Sequence, residues 1–435
     1  MLDMADTVDF FLVIGLIILI GFFGRLLRHK TNIPESLFLI VLGIILGPVT
    51  HFFDASLLLG FVPILSVFAL VVILLEASTS LEIFSLVKSV PRSLIFTLLV
   101  AILIAFGIAA PLHFLLGYSP EAAIILGLIS SGTTTVTVTA LLDRLQASKP
   151  VKDLLTLESI INDFIGIVGT FLLLDFIQAQ TADVTTALQT LFGDIFAAIV
   201  AGLIAALVWQ HILARFNVKK ELSYMSTLGA AFVIYYLGYL TGANPIITVF
   251  AFGLFIGNMM TIADFARWKM NDFSSTLESI RNVQPDISFF VRTFFFVILG
   301  IIFNPSSISL SVLAVVVLVT VVALAARYAS STLLSHWDSF FIENRQLITI
   351  MIPRGFAATI LAFVPQQYGI NIPFLSDIVL LVVFLSTLVA IIGTGFYAHT
   401  NHNASKNGSN KTNNTSSKSG TSAKEKPDAV SLEFK

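Results

Sequence analysis

Residues 157–166 read Leu157-Glu158-Ser159-Ile160-Ile161-Asn162-Asp163-Phe164-Ile165-Gly166. Two carboxylates, an amide and a hydroxyl thus sit inside an apolar run, roughly 153–177, long enough to cross about 30 Å of hydrocarbon. An ionisable side chain at such depth costs several kcal/mol unless it is paired or hydrated, so it reads as functional. The run begins next to Lys152. Asp163 lies about ten residues in, or about 15 Å at 1.5 Å per residue, which is the membrane midplane. Ser159, four residues earlier, shares its helical face, and Asn162 adds an amide beside it.

The rest of the chain supports a membrane setting. Of 435 residues, 56% are hydrophobic and 11% charged, and the mean hydropathy is +0.94. Soluble domains of this size do not approach such values, so the sequence predicts an all-α polytopic membrane protein. Cysteine is absent and the seven histidines have no metal-ligand spacing, which leaves no basis for disulfide, thiolate-metal or redox chemistry. No nucleotide-binding motif is present, which argues against a primary pump, and no enzymatic activity, cofactor or nucleic-acid partner is expected.

Apolar runs occur at roughly 8–28, 33–50, 62–82, 93–115, 120–143, 153–177, 192–213, 222–241, 244–259, 287–303, 308–333, 347–366 and 374–396, predicting about thirteen transmembrane helices. Lys and Arg gather in alternate loops, for example Lys88 with Arg92, Arg144 with Lys149 and Lys152, and Arg215 with Lys219 and Lys220. The loops between them, such as HFFDASLLLGF, contain none. The positive-inside rule then places the N-terminus outside and the C-terminus in the cytoplasm, consistent with an odd number of spans. From about Thr400 the sequence turns into a polar low-complexity tract, and 400–435 is expected to be a disordered cytoplasmic tail. Residues 1–399 are expected to form the transmembrane domain.

Once the loops are assigned, only Arg292, Arg327 and Arg354 remain within spans. Arg327, in the eleventh span, and Glu158, in the sixth, each lie about six residues from the cytoplasmic end. The two charges share a depth, so a buried Glu158–Arg327 pair is expected to hold the helices together. Arg354, slightly deeper in the twelfth span, is the competing partner and a second core arginine. Glu76, near the end of the third span, is expected to serve helix packing. Two spans also carry breaks in mid-membrane. Ser130-Ser131-Gly132-Thr133-Thr134-Thr135 weakens the fifth helix, and Pro353, in Ile352-Pro353-Arg354-Gly355, removes a hydrogen-bond donor from the twelfth. Spans five and twelve are the middle members of units 4–5–6 and 11–12–13. The expectation is an inverted repeat with crossed broken helices around a midplane ion site.

Together these residues resemble the NhaP/NHE-type sodium/proton antiporters of the monovalent cation:proton antiporter superfamily, over nearly all of the membrane region. Glu158, Ser159, Asn162 and Asp163 fit the E-S-x-x-N-D spacing of the electroneutral branch. IPESLFLIVLGIILGP, VVILLEASTSL and FFFVILGI resemble further helices of that family. One departure stands out: where the family's fifth helix reads S-P-T-D-P, this chain has Ser131-Gly132-Thr133-Thr134-Thr135. Thr133 keeps the family's ion-facing threonine, while Thr134 replaces a carboxylate.

The resemblance implies a six-helix core of spans 4–6 and 11–13 moving against a scaffold of the other spans, in a homodimer within lipid, located in a prokaryotic cytoplasmic membrane. It implies that Na+, or Li+, and H+ compete for Asp163, with Ser159 and Thr133 as further oxygen ligands for Na+. Asn162, Glu158 and Arg327 would stabilise the core, and Gly132, Thr134 and Pro353 would form the breaks. Because Asn162 cannot titrate, one carboxylate cycles and exchange is expected to be electroneutral, one for one. K+/H+ antiport would use the same machinery. A sodium-coupled solute symporter is the more distant alternative, since no cluster of side chains for an organic solute can be found.

Overall fold

In a computed structural model, the described residues are 12, 14–19, 21, 22, 24, 34–53, 58–81, 83–178, 184–216, 220–265, 267 and 273–416. For 83–91, 184–188, 190, 191, 220, 221, 275 and 401–416 these are backbone only. The first apolar run, 8–28, is thus only partly described, and 417–435 of the expected tail lies outside.

Among the described residues the chain is helical, with no strand. The helices in chain order are α1 (Glu35–Ile44, continued by a π turn, Ile45–Val49), α2 (Val62–Ser80), α3 (Ile83–Leu116), α4 (Pro120–Ile129), α5 (Thr135–Arg144), α6 (Lys149–Gln178), α7 (Val184–Arg215), α8 (Lys220–Thr241), α9 (Pro245–Gly257), α10 (Met259–Phe265), α11 (Ser274–Ile302), α12 (Leu310–Leu334), α13 (Phe340–Glu343), α14 (Arg345–Ile350), α15 (Phe356–Leu361), α16 (Val364–Gln367) and α17 (Leu375–Ser416). Seven of them are long and apolar enough to cross a membrane, and α9 with α10, bent by 66°, would make an eighth. The chain is a multi-pass membrane protein.

Several helices overshoot the apolar runs that announce them. A helix satisfies its own backbone, so it need not stop where the hydrocarbon does. Thus α11 starts at Ser274 rather than near 287, passing through Pro285, and α17 continues to Ser416, past the point near Thr400 where composition predicts the tail. The fifth span is two short helices, α4 and α5, as its Ser/Gly/Thr run predicts. The twelfth is divided further, into α14, α15 and α16, because Pro365 starts a new helical turn in addition to the break at Pro353.

Packing follows two patterns. α3 lies against α4 and α6, and α12 lies against α14 and α17, giving two groups built around a broken helix, joined where α12 packs on α3. Elsewhere α9 is wedged between α7 and α2, and α11 packs along α1. The last two cross at glycines: a Cβ on Gly300 would come within 2.8 Å of the Gly43 Cα. Only bare backbone permits that approach, which is how small residues bring apolar helices together where lipid supplies no hydrophobic drive between them.

Candidate functional site

The broken fifth span is set by its ends. Ser119 caps α4 by accepting a hydrogen bond from the Ala122 amide, with Pro120 in the first turn where its missing N–H costs nothing. After Ile129 the backbone leaves the helix until Thr135, freeing carbonyls that must find partners. They find them on two other helices. The Ser131 carbonyl accepts from Asn162 Nδ2 of α6, at 2.9 Å, and from Arg354 Nη1. The Gly132 carbonyl accepts from the same Arg354 nitrogen at 2.9 Å. Arg354 therefore places a fixed positive charge at the carbonyl end of α4, where the helix dipole favours a cation.

The two breaks meet directly. The Thr134 amide donates to the Pro353 carbonyl at 2.9 Å. A Cβ on Gly355 would overlap the Thr134 side chain, with Thr134 Oγ1 at 2.8 Å. On the other side of the crossing, a Cβ on Gly132 would collide with Asp163 Oδ1. Gly132 and Gly355 thus let the broken segments touch each other and α6.

Behind the crossing lies a fully buried polar network. Glu158 Oε1 pairs with Arg327 Nη1 at 2.9 Å, and neither side chain is exposed. Arg327 Nε donates to the Ile348 carbonyl of α14 at 2.8 Å, and its guanidinium lies 5.6 Å from the Phe96 ring centre. Asn162 Nδ2 also donates to Glu158 Oε1 at 3.1 Å. The Thr133 hydroxyl lies 3.1 Å from Ser159 Oγ and 3.4 Å from both Glu158 oxygens, and Ser159 donates to the Leu155 carbonyl. Arg327, rather than Arg354, is the ion-pair partner of Glu158.

Asp163 makes no hydrogen bond within this network, though the Glu158 and Arg354 charges act on it. Among the described residues no hydrogen bond to its carboxylate is formed, and the residue is half-buried. It lines a cavity of about 260 Å³ whose wall includes Thr134, Thr135 and Thr139 of the broken span, Glu76 and Ser80 of α2, Arg292 of α11 and Phe164. Thr133 and Ser159, expected to face the ion with Asp163, are not on this wall: Thr133 lies against Ser159 and Glu158, and Ser159 donates to the Leu155 carbonyl. The neighbouring Thr134 takes the place on the wall. Glu76 and Arg292 were not expected here; the sequence shows two charges left within spans but nothing that brings them together. Among the described residues no three His, Cys, Asp or Glu side chains gather into a metal-binding group.

Beyond the cavity, toward Gln178, α6 is closed against α9. Phe164 stacks on Phe250 with ring centres 3.8 Å apart. Val168 and Leu172 pack on Ala198, Ala243 and Ile247. Asn244, which caps α9 through Oδ1, donates from Nδ2 to Asp175 Oδ2 at 2.8 Å. The stretch of α6 beyond Asp163 is therefore held against α7 and α9.

Residues 14–399 match the family described as sodium/hydrogen exchanger, transmembrane. Na+/H+ antiporter 1 of Methanocaldococcus jannaschii is 27% identical over 300 residues, covering 66% of this chain and 67% of that protein. Sodium/hydrogen exchanger 7 of Arabidopsis thaliana is 26% identical over 318 residues, 68% of this chain but only 26% of its own length. The low-affinity Na+/H+ antiporter NhaS1 of Synechocystis is 26% identical over 305 residues, 69% of this chain and 55% of that protein. The chain thus spans only part of the length of these relatives. Among solved structures, that of the sodium proton antiporter MjNhaP1 from Methanocaldococcus jannaschii at pH 8 superposes with a TM-score of 0.72, covering 90% of this chain and 98% of that one at 21% identity. At that identity the likeness is one of fold.

Proposed function

Because the chain belongs to the transmembrane sodium/hydrogen exchanger family, we propose that it exchanges Na+, or Li+, for H+ across the cell membrane by competition of the two ions at Asp163. The observation that carries this reading is the contrast between the two carboxylates of α6. Glu158 is closed by Arg327 at 2.9 Å with no exposure, whereas Asp163 faces a cavity and has no hydrogen-bond partner among the described residues. A carboxylate on a cavity wall can take a proton or a hard cation, but not readily both. The wall hydroxyl of Thr134, freed backbone carbonyls and water would complete the ligands of the cation; Ser159 and Thr133 join them if the segment rotates on binding.

The remaining charges of the crossing are fixed. Glu158 and Arg327 cancel, Arg354 offsets the carbonyl end of α4, and Asn162 ties α6 to Ser131 without titrating. Neutralising Asp163, by cation or by proton, is then the event that lets the core of spans 4–6 and 11–13 move past the scaffold. Each half-cycle carries one cation or one proton, and exchange is electroneutral.

With thirteen crossings and the Lys- and Arg-rich loops inside, the cavity that runs from Asp163 to Ser80 and Thr139 faces the cytoplasm. The chain would act as a homodimer through scaffold spans one and seven, with 400–435 as a cytoplasmic tail. Of the seven long apolar helices, α7 has the smallest buried share, and it presents Phe192 and Phe196 outward, which suits an interface within lipid.

K+ is the second reading. A site with one free carboxylate and a neutral Thr134 offers a weaker field than one with two carboxylates, and weak fields favour larger cations. The deciding experiment is cation-induced dissipation of an imposed pH gradient in proteoliposomes, with Na+, Li+ and K+ added separately. Antiport is read from dissipation, and the cation from which addition produces it. No response to any of the three would overturn the reading.

A further inference from the structure

Glu76 and Arg292 are charges that neither the crossing nor the buried network uses. They come from α2 and α11, helices outside the two broken-helix groups, and Arg292 Nη1 donates to Glu76 Oε2 at 2.9 Å. The pair is not closed off as Glu158–Arg327 is. Its side chains are 24% and 13% exposed, and both stand on the wall of the cavity that holds Asp163. A cation approaching Asp163 through this cavity passes a carboxylate that is already matched by a guanidinium.

We infer that Arg292 is a positioning residue that sets the apparent cation affinity of the site, by holding the Glu76 charge neutral on the approach to Asp163. The inference rests on the antiport reading and deepens it. With the pair intact the approach carries no net charge, so Asp163 alone attracts the cation. Removing the guanidinium leaves a second negative charge facing the same small cavity, which concentrates cations there. Removing the carboxylate leaves a positive charge, which excludes them. A charge in so small and poorly screened a space acts on Asp163 and its ion through a low effective dielectric.

The two single changes are therefore expected to move the half-saturating Na+ concentration in opposite directions. Arg292→Gln lowers it and Glu76→Gln raises it, each by about three- to tenfold for a unit charge acting across a cavity of this size. Glu76→Gln with Arg292→Gln returns it close to the wild-type value. Added inert salt changes the single-variant shifts little, because the charges are mostly buried. A helix-packing role predicts something else, namely lower melting temperatures in both single variants with half-saturation moving the same way or not at all.

The measurement is Na+-dependent dissipation of a pH gradient in proteoliposomes of wild type and the three variants, with melting temperatures of the same preparations. Opposite shifts support the inference. Shifts of the same sign, or an unchanged value in Arg292→Gln, overturn it while leaving antiport intact. Absence of cation-driven flux in the wild type overturns the antiport reading instead. Should Arg292→Gln not fold, Arg292→Lys keeps the charge and is expected to hold the wild-type value; a tenfold change there overturns the inference.

Discussion

The amide of Thr134 donates to the carbonyl of Pro353 at 2.9 Å, so the two broken helices are joined backbone to backbone at their crossing. The contact exists because Gly355 has no side chain: a Cβ there would run into Thr134. Gly355→Ala is therefore expected to push the segments apart and to destabilise the protein by about 1–3 kcal/mol, as overpacking of a close-packed site does. Gly395→Ala, on α17 with nothing within 4 Å of the added carbon, is the matched control. Thermal unfolding of both in detergent checks this; equal melting temperatures would mean that the crossing can open freely.

The Glu158–Arg327 pair gives a second prediction. Both side chains are fully buried, so Glu158→Gln leaves a guanidinium without its counter-charge, at a cost of about 3–5 kcal/mol. Replacing both by Gln removes the stranded charge along with the pair. The double variant is expected to be milder than the sum of the singles, by a coupling that thermal unfolding can read. Strict additivity would show that the two charges do not depend on each other.

Asp163→Asn is expected to behave in the opposite way. No hydrogen bond or ion pair among the described residues would be lost, so the melting temperature should hold, while both Na+-driven proton flux and proton-driven Na+ flux disappear. Retention of either coupled flux would remove Asp163 from the shared site.

How far the sequence reached can be seen residue by residue. The depth of Asp163 and the equal depths of Glu158 and Arg327 follow from counting along helices, and Gly and Pro mark the breaks by their own backbone chemistry. The partners of Arg354 could not be read that way, because they are backbone carbonyls freed by the break, and a carbonyl has no residue type. Nor could the exchange of Thr133 for Thr134 on the cavity wall. In an unwound segment the helical period no longer says which neighbour faces which way. Glu76 and Arg292 are 216 residues apart in sequence, and only the packing of α2 near α11 brings them together.

The contact beyond Asp163 can be tested by locking it. Asp175 on α6 and Asn244 at the start of α9 are hydrogen-bonded at 2.8 Å, across what the proposed mechanism makes the boundary between core and scaffold. The proposed alternating access would require that contact to part in each cycle. The chain has no cysteine, so Asp175→Cys with Asn244→Cys introduces a single pair that an oxidant can bridge if the two Cα atoms lie within about 7 Å. Bridging is expected to abolish exchange and a reductant to restore it. Full turnover in the bridged protein would mean that this boundary does not move.

Charge balance gives the last prediction. Asn162 is held through Nδ2 by Ser131 and Glu158 and cannot titrate, and the Glu158 charge is already matched by Arg327. If Asp163 is the one group that changes occupant, a complete cycle brings one cation one way and one proton the other, and the net charge moved is zero. The membrane potential then does no work on the cycle. Were one net charge to move, 100 mV would contribute about 2.3 kcal/mol, which shifts the final Na+ ratio by about fifty-fold at about 1.4 kcal/mol per tenfold change. The test is the end-point Na+ distribution in proteoliposomes at a fixed pH gradient, with the potential clamped at zero or at a large negative value by an ion the protein does not carry. The two end points are expected to coincide. A ratio that follows the potential would show that a second proton moves, and some group other than Asp163 would have to carry it.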